Sequence, residues 1–382
     1  MSWDMVRLGD VCTVINGSTP KTDIAAYWDG DIVWVTPTDL GRLSDKVIND
    51  SERHITSEGY NSANTNILPE KSIILSTRAP IGHIAIVGAE LCTNQGCKGI
   101  VPSDDVNTDF LYYYLWFHKA DLAALGSGAT FKELSTTALC SFEILFPPLD
   151  EQRRIAAEVE RQLAIVEKAK QAATEQLAAA RALNAAYLRE VFEGNVWEQA
   201  RLGDICNLTS GKSVSEQHLG NTGIPYIQVE DLNSNFKYAI TARRFFTGQN
   251  GNIPVGTVIF PKRGGAISTN KKRITQSQIC IDLNIMGITP KECLNVEFFY
   301  YYFLTVDLGK LYDGSSVPQI NNKDIEPLKI PLPSLNEQHR IVERLEKKFT
   351  KTKMALASIQ SQLDTINAMP AAILRQAFSG QM

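Results

Sequence analysis

The residues whose types and spacing could do chemistry are few, and they complete no known catalytic pattern. The stretch SGKS at residues 210–213 resembles the end of a phosphate-binding loop, but Cys206 stands where the first glycine of that loop is required. Pro147 and Pro148 are followed by Leu149, so they do not form the (D/N)PP(Y/F) motif of adenine methyltransferases. The sequence also lacks a GxGxxG pattern. We therefore expect no nucleotide site in this chain.

The cysteines and histidines predict neither a metal site nor a nucleophile. Cys92 and Cys97 form a lone pair without further ligands at metal-binding spacing, so structural thiols are the simpler interpretation. The seven cysteines and five histidines are scattered along 382 residues, which fits a reducing cytoplasm. Apolar runs stay too short for a membrane span, and the first ten residues lack the apolar core of a signal peptide. We expect a cytoplasmic, membrane-free protein without cofactors of its own.

Basic residues point instead to a nucleic-acid backbone, and the densest group lies in the second half of the chain. These lysines and arginines surround Gly264 and Gly265, where missing side chains permit a close approach to DNA. Such a group suits phosphate contacts, although charge clusters are also common on solvated loops. Arg263, beside the glycines, could instead enter a groove and bind a guanine. The members are Lys262, Arg263, Lys271, Lys272 and Arg273, with Arg78 as their counterpart in the first half.

Two early loops and several amides add further candidates for DNA contacts. The loops at residues 17–21 (GSTPK) and 210–213 (SGKS) occupy matching positions in the two halves, and each suits either a phosphate contact or a plain turn. Amide side chains can bind an adenine edge through two hydrogen bonds, although a role in a turn stays open for each. The candidates are Thr19, Lys21 and Lys212 in the loops, and the amides Asn94, Gln95, Gln228 and Asn322.

The sequence consists of two similar halves, with an offset near 186 residues. Each half contains one aromatic stretch, and both stretches are expected to pack in a helical core rather than to stack on bases. Read in a circle, the end of the chain continues into its beginning, so we expect a pseudo-two-fold molecule with neighbouring termini. The matching stretches are VRLGDVC (6–12) and ARLGDIC (200–206), FLYYYLWF (110–117) and FFYYYFLT (298–305), GATFKEL (128–134) and GSSVPQI (314–320), DEQRRIAAEVE (150–160) and NEQHRIVERLE (336–346), and the ends before Gly194 and Gly380.

Each repeat closes with a helix of about 40 residues, whose apolar positions follow a 3–4 alternation. Neither apolar seam can stay bare in water, so the two helices are expected to pack on each other, antiparallel because of the circular repeat. Asp150 and Asn336 are the expected N-caps, and Pro370 is expected to kink or restart the second helix. The remaining segments carry short β-rich runs between turn residues and predict two α/β domains.

Together these features resemble the specificity subunit of type I restriction–modification systems. The resemblance is carried over the full chain by both RLGD openings, STRAPIG at 76–82, and both helices that begin with EQxRI. It implies an α+β fold in which two pseudo-two-fold related α/β target-recognition domains are separated by two long helices forming an antiparallel coiled coil. The expected segments are domain 1 (residues 1–149), the central helix (150–193), domain 2 (194–334) and the C-terminal helix (335–382).

The resemblance also implies a division of labour. Each domain would read one half of a bipartite, asymmetric duplex DNA site, and the helices would set the spacing. Methylation and cleavage, with S-adenosylmethionine, ATP and Mg, would belong to two methyltransferase (M) subunits and to restriction (R) subunits. The helix starts would dock the M subunits, or alternatively only cap and pack the helices. Those residues are Glu151, Gln152, Arg154, Ile155, Glu337, Gln338, Arg340 and Ile341.

Charge is distributed unevenly between the two halves. Residues 1–149 hold 10 Lys and Arg against 18 Asp and Glu, whereas residues 197–333 hold 14 against 12. Because phosphate contacts usually dominate DNA affinity, the acidic domain 1 suggests that partner subunits supply basic surface. Two alternatives remain open from the sequence. One is a coiled-coil scaffold whose globular ends bind proteins, and the other is a stand-alone restriction or methylation enzyme, which the missing motifs disfavour.

Overall fold

A computed structural model shows the strands and helices of most of the chain. It describes residues 3–128, 132–233, 237–239, 242–248, 253–312 and 318–379. The repeated loops at 128–134 and 314–320 lie partly outside these residues, and Gly380 lies outside them altogether.

Domain 1 alternates short strands with short helices, as its β-branched runs and turn residues predict. Small polar residues precede several of the helices and accept hydrogen bonds from their first turn. In chain order the elements are β1 (Asp4–Arg7), α1 (Leu8–Val11), β2 (Cys12–Asn16), β3 (Trp28–Val35), α2 (Pro37–Arg42), β4 (Val47–Ile48), β5 (His54–Ile55), α3 (Ser57–Ser62), β6 (Ile73–Ser76), β7 (Ile84–Val87), β8 (Cys92–Thr93), β9 (Cys97–Pro102), α4 (Thr108–Phe117), α5 (Lys119–Ala124), α6 (Thr136–Cys140) and β10 (Glu143–Phe146).

The second half repeats this arrangement between two long helices. In chain order its elements are α7 (Leu149–Glu193), β11 (Gln199–Arg201), α8 (Leu202–Ile205), β12 (Cys206–Ser210), β13 (Leu219–Gly220), β14 (Ile224–Ile227), β15 (Tyr238–Ala239), β16 (Arg244–Phe246), β17 (Val258–Pro261), β18 (Arg273–Thr275), β19 (Cys280–Ile281), β20 (Ile285–Pro290), α9 (Val296–Thr305), α10 (Asn322–Ile325), β21 (Lys329–Pro331) and α11 (Leu335–Phe378).

The main sheets of the two domains have the same topology. Five strands run in the order β2-β9-β6-β7-β4 in domain 1 and β12-β20-β17-β18-β15 in domain 2. The register agrees as well, since Cys12 lies opposite Pro102 and Cys206 lies opposite Pro290. A second sheet has the order β5-β3-β8 in domain 1 and β13-β16-β14-β19 in domain 2. The repeat seen in the sequence is therefore a repeat of the fold.

The chain divides into two compact units that do not coincide with its linear halves. Unit 1 comprises residues 1–174 and 361–382, and unit 2 comprises residues 175–360. Each unit thus contains one domain, the beginning of one long helix and the end of the other.

In unit 1, the beginning of α7 packs against the end of α11. Ile155 and Val159 share one apolar core with Leu374 and Phe378. The ring of Phe378 also lies 5.6 Å from that of Phe110 on the aromatic helix α4. The partly buried Trp3 joins the same core, so the described ends of the chain meet as the circular repeat predicts.

In unit 2, the end of α7 packs against the beginning of α11 in the same way. Leu188 and Val191 share a core with Ile341 and Leu345. Phe192 repeats the role of the last aromatic residue of α11, with its ring 5.5 Å from that of Phe298 on α9. The predicted antiparallel pairing of the long helices is confirmed, and the stretches FLYYYLWF and FFYYYFLT are largely buried in helices.

Two details of the long helices differ from the prediction. The helices begin at Leu149 and Leu335, one residue before the expected N-caps, so Asp150 and Asn336 lie inside the first turn. Asp150 still stands at the positive end of the helix dipole. Pro370 lies inside a helix that runs without interruption to Phe378, so the expected restart is wrong. None of the helices in the described ranges is both long and apolar enough to span a bilayer.

Candidate nucleic-acid interface

Several of the predicted residues of domain 1 lie close together in the loops that follow β2, β6 and β8. We call these loops the edge of the domain, the candidate surface for reading DNA. Strand β6 ends at Ser76, and Thr77 N then donates to Gly96 O at 2.8 Å, which holds Arg78 beside the turn after β8. In that turn Asn94 Oδ1 accepts from Gly96 N at 2.9 Å. A Cβ atom on Gly96 would lie 3.1 Å from Arg78 Nε, so glycine permits the close approach. Within the described residues, no hydrogen bond or ion pair engages the half-buried Arg78 guanidinium.

The loop after β2 closes on the same turn. A Cβ atom on Gly17 would lie 2.0 Å from Asn94 O, so a larger residue does not fit there. Thr19 Oγ1 donates to Gln95 Oε1, which ties this loop to the turn. The edge therefore carries Thr19, Arg78, Asn94 and Gln95, with the exposed Lys21 two residues beyond Thr19.

Domain 2 repeats this edge with other side chains. Lys262 N donates to Asn284 O at 2.7 Å, and Asn284 N donates to Asp282 Oδ1 at 2.8 Å, as in the corresponding contacts of domain 1. The exposed Arg263 therefore occupies the position of Arg78. Burial, and then the charge of Arg263, lowers the pKa of Lys262.

Other predicted residues of domain 2 lie around Lys262. Lys212 N donates to Ile281 O at 3.3 Å, which holds the exposed Lys212 next to the turn after β19. Ile320 N donates to Lys262 O at 2.8 Å, which holds the residues just before α10 next to Lys262. The first residue of α10, Asn322, is exposed. The edge therefore carries Lys212, Lys262, Arg263 and Asn322, with the half-buried Gln228 at the end of β14.

Residues 271–273 do not form the exposed basic loop that the sequence predicted. Lys272 is 0% exposed, and its Nζ donates to Val306 O at 2.6 Å and to Asn270 Oδ1 at 2.8 Å. Burial lowers the pKa of Lys272 to about 7, an effect that Asp307 partly opposes. The expectation that Lys272 contacts phosphates is corrected, because the protein encloses its amine.

The neighbours of Lys272 differ in how far they reach the surface. Arg273 is half-buried and donates to Leu232 O at 2.8 Å and to Lys272 O at 2.7 Å, so it holds the backbone of the domain. Lys271 is partly exposed and donates to Asn233 Oδ1. Of these three cations, Lys271 is the better candidate for a phosphate contact.

The glutamine of each EQ motif has a structural role. Gln152 is 0% exposed, its Oε1 accepts from Asn107 N at 2.8 Å, and its Nε2 donates to Asp105 O at 3.1 Å and to Pro147 O at 2.9 Å. It therefore fastens the start of α7 to the start of the aromatic helix. Gln338 makes the same three contacts, with Asn295 N at 2.7 Å, Cys293 O at 3.1 Å and Pro333 O at 2.8 Å.

The other predicted docking residues divide into buried and accessible ones. Ile155 and Ile341 are 0% and 1% exposed and pack in the cores, so neither these isoleucines nor the two glutamines can receive a partner subunit. The accessible members form pairs along each helix: Arg154 donates to both carboxylate oxygens of Glu151 at 2.8 Å, and Arg340 lies 3.7 Å from Glu337.

Two lysines, one in each domain, connect the domain to a long helix, and sequence reasoning missed both. Lys46 Nζ donates to Asp109 on α4 and to Glu160 on α7. In domain 2, Lys237 Nζ donates to Glu297 on α9 and to Glu346 on α11. We call these two groups the ionic joints. A signal was present in the sequence, since the two helix glutamates stand 186 residues apart, the offset of the EQ motifs.

The described ranges contain no cluster suited to a metal ion, and the two cysteines that the sequence singled out are buried. No group of three or more His, Cys, Asp or Glu side chains there could hold a metal ion. Cys92 and Cys97 are both buried, and burial raises the pKa of Cys92 to about 11. These thiols are therefore un-ionised at neutral pH and pack as small apolar groups.

Comparison with known proteins identifies relatives over the whole chain. The family model "Type I restriction modification DNA specificity domain" matches twice, over residues 1–176 and 195–363. The MjaIX specificity subunit of a type I restriction enzyme from Methanocaldococcus jannaschii is 28% identical over 398 residues, which cover 95% of this chain and 91% of that protein. The EcoBI specificity subunit from Escherichia coli is 23% identical over 331 residues, which cover 76% of this chain and 69% of that protein.

Solved structures share the fold. The HsdS subunit from Thermoanaerobacter tengcongensis superimposes with a TM-score of 0.71 and 22% identity, over 100% of this chain and 97% of that chain. A chain from a study of complex assembly and conformational transition in the type I R-M system reaches a TM-score of 0.78 at 22% identity, over 100% and 98% of the two chains. With two matched specificity domains covering most of its length, this chain belongs to the family of type I restriction–modification specificity subunits.

Proposed function

We propose that this chain is the non-catalytic recognition subunit of a type I restriction–modification complex, in which each domain binds one half of a bipartite, asymmetric duplex DNA site. The observation that supports this is the pair of matching sheet edges. The backbone contacts are the same, and Arg78 and Arg263 are equivalent. The buried Thr77 of domain 1, however, is replaced in domain 2 by the partly exposed Lys262. Because base edges are distinguished by the donors and acceptors that face them, two such edges suit two different half-sites.

The charge of the two domains supports a complex rather than a self-sufficient DNA-binding protein. Domain 1 holds 10 Lys and Arg against 18 Asp and Glu, although phosphate contacts usually supply much of the affinity for DNA. We therefore propose that two M subunits contribute basic surface and that R subunits join the assembled complex. S-adenosylmethionine, ATP and Mg would be bound by those partners.

The accessible residues at the helix starts are the proposed docking positions for the M subunits. The pairs Glu151–Arg154 and Glu337–Arg340 lie at equivalent positions in the two units. Hydrogen bonding to Arg154 lowers the pKa of Glu151, so this pair is charged at neutral pH. Two equivalent positions on one chain suit two copies of one partner. Charge reversal at Arg154 and Arg340 together should abolish assembly with the M subunits in gel filtration, whereas the chain alone should stay folded.

The long helices are the proposed ruler between the half-sites. Helices α7 and α11 have 45 and 44 residues, so each extends about 67 Å at 1.5 Å per residue. Successive major-groove faces of DNA lie about 34 Å apart, which is within that reach. Four residues inserted after Ala178 should lengthen one helix by about 6 Å. Surviving activity should then require a longer gap between unchanged half-sites, and altered base preference at the old gap would contradict the ruler.

The most direct experiment on the function compares the methylation of host DNA with and without this chain. With the partner M subunits present, the chain should direct methylation to one bipartite sequence, and its deletion should remove that modification. The purified chain alone should neither methylate nor cleave DNA. If the chain assembles with methyltransferase subunits yet neither binds DNA nor changes the methylation pattern, it is a protein-interaction scaffold instead.

A further inference from the structure

Each domain is connected to its long helix by a lysine that lies at the edge of the main sheet. Lys46 precedes the edge strand β4, and its backbone O accepts from Ile86 N of the neighbouring strand β7 at 2.7 Å. Its Nζ lies 2.8 Å from Asp109 Oδ1 and 2.7 Å from Glu160 Oε1. One side chain therefore links the sheet, the aromatic helix and the long helix.

Domain 2 contains the same joint although the lysines stand in dissimilar sequences. Lys237 precedes β15, and its O accepts from Ile274 N of β18 at 2.9 Å. Its Nζ lies 2.8 Å from Glu297 Oε1 and 2.7 Å from Glu346 Oε1, and Tyr238 Oη donates to Glu297 Oε1 at 2.8 Å. The recurrence of this arrangement in both units favours a selected role over a chance surface pair.

The two lysines are less exposed than the lysines of ordinary surface ion pairs. The Lys46 and Lys237 side chains are 27% and 17% exposed, and their ammonium groups lie 5.4 Å and 4.9 Å from the ring centres of Tyr113 and Tyr301. Burial alone would lower the pKa of Lys46, but the hydrogen bonds to its two carboxylates outweigh burial and raise it. The pKa of Lys237 is raised in the same way.

Removing the lysine would do more than delete one contact. Two carboxylates, one on the aromatic helix and one on the long helix, would then face each other without a cation between them. Like charges at this range repel, so the domain would lose its fixed angle on the helix. The Gln152 and Gln338 contacts would still hold the helix starts, and this predicts a looser joint rather than a detached domain.

We propose, building on the recognition function above, that Lys46 and Lys237 are positioning residues that determine which gap between half-sites the protein accepts. Arg78 follows β6 and Arg263 follows β17, and each of these strands lies in the same hydrogen-bonded sheet as the strand that begins beside the joint lysine. A change of angle at the joint therefore moves the arginine that is proposed to contact DNA. One base pair of added gap shifts a half-site by about 3.4 Å and about a tenth of a turn. A rigid joint rejects such a shift, and a loosened joint tolerates it.

The test measures methylation by the assembled complex on DNAs whose half-sites are separated by the native gap or by one base pair more or less. The Lys46→Met, Lys237→Met double variant should keep its base preference in both half-sites. Its preference for the native gap over the altered gaps should fall about fivefold, the factor that a partly exposed ion pair of this kind can supply. The control is Lys347→Met, which removes a 71% exposed lysine of α11 paired with Glu343 and should leave the gap preference unchanged.

A milder variant keeps the proposal testable if the double lysine variant does not fold. Glu160→Gln with Glu346→Gln retains an acceptor for each lysine but removes one charge from each joint, and should weaken the gap preference in the same direction. An unchanged gap preference in a folded variant overturns the proposal. A wild-type complex that recognises no bipartite site would instead overturn the recognition function itself, so the two failures are distinguishable.

Discussion

The two domains share a backbone conformation and differ in the side chains at their edges, the surfaces proposed to read DNA. Asn94 Oδ1 and Asp282 Oδ1 each accept a hydrogen bond from the backbone two residues later, and Arg78 and Arg263 follow equivalent strands. Thr77 corresponds to the cationic Lys262, however, and the two early loops carry unlike residues. The backbone contacts that position the edge are therefore separate from the side chains available to contact DNA.

The same comparison separates the residues that hold each unit together from those that are proposed to contact DNA. The hydrogen bonds of Gln152 and Gln338, which we call the glutamine clamps, recur in both units with nearly identical distances, and so do the ionic joints. The side chains at the edges differ between the units. Changes at recurring contacts should therefore act equally in both units, and changes at the edges should act on one half-site only.

The largest expected effect is the loss of a glutamine clamp. Gln152→Ala would leave one buried N–H and two carbonyl oxygens without their partner, and should lower the free energy of unfolding by about 2–4 kcal/mol. Gln338→Ala should do the same in unit 2. The accessible neighbour Glu151 supplies the control, because Glu151→Ala removes only a surface pair. Denaturant unfolding measures all three, and equal stability of the Gln152→Ala and Glu151→Ala variants would show that the clamp is unimportant.

Next in size is the effect of the equivalent arginines. If Arg78 and Arg263 each bind a guanine through two hydrogen bonds, replacement by Lys keeps the charge but loses the paired geometry, at about 1–3 kcal/mol for one base pair. Arg78→Lys should relax one position in one half-site, and Arg263→Lys one position in the other. Binding of the assembled complex to single-base variants of its target measures this. A uniform loss over all positions would indicate phosphate contacts instead.

A smaller effect concerns Lys272, which is fully buried and, unlike the arginines of the edges, is not proposed to contact DNA. Its folded-state pKa is lowered to about 7, so the unfolded chain binds more protons between that pH and about 10. Stability of the wild-type protein should therefore rise with pH in this window, by roughly 2 kcal/mol from pH 7 to pH 9. Lys272→Met should remove this rise and Lys271→Met should keep it. A rise that persists in Lys272→Met would assign the pH dependence to other groups.

The smallest expected effect is that of Lys271. Lys271→Ala should flatten the slope of log affinity against log salt by about 0.9, the value for one phosphate contact, without changing base preference. Lys272→Met should leave the slope unchanged, since its amine is enclosed. Salt-dependent binding of the assembled complex measures both. If Lys271→Ala leaves the slope unaltered in a folded protein, the lysine is an ordinary solvated side chain.

Sequence reasoning predicted the fold well because the repeat and the apolar periodicity record it directly. The antiparallel pairing of the long helices follows from apolar positions such as Val159 and Leu345, which repeat at helical spacing and are fully buried. The circular closure follows from the matching ends before Gly194 and Gly380. The restart predicted at Pro370 is wrong, because the helix continues past this proline to Phe378, although a proline inside a helix often ends it.

The site was harder to predict because tertiary contacts decide which polar residues are accessible. Lys272 and Gln152 are polar in the sequence, yet both are fully buried and bind backbone groups. Lys46 and Lys237 stand in unlike surroundings along the chain, and only strand pairing with β7 and β18 brings them to equivalent positions. The type of a residue does not reveal such contacts. The prediction that Lys272 contacts DNA therefore rested only on the clustering of charged residues in the sequence.

The exchange of one domain tests the central claim of independent reading edges most directly. Residues 1–149 would be replaced by the equivalent domain of a relative with a different target, and the methylated sequence would be mapped with the partner M subunits present. Independent edges predict that one half-site changes to that of the donor, while the other half-site and the gap stay as they were. A hybrid that alters both half-sites together would contradict the account.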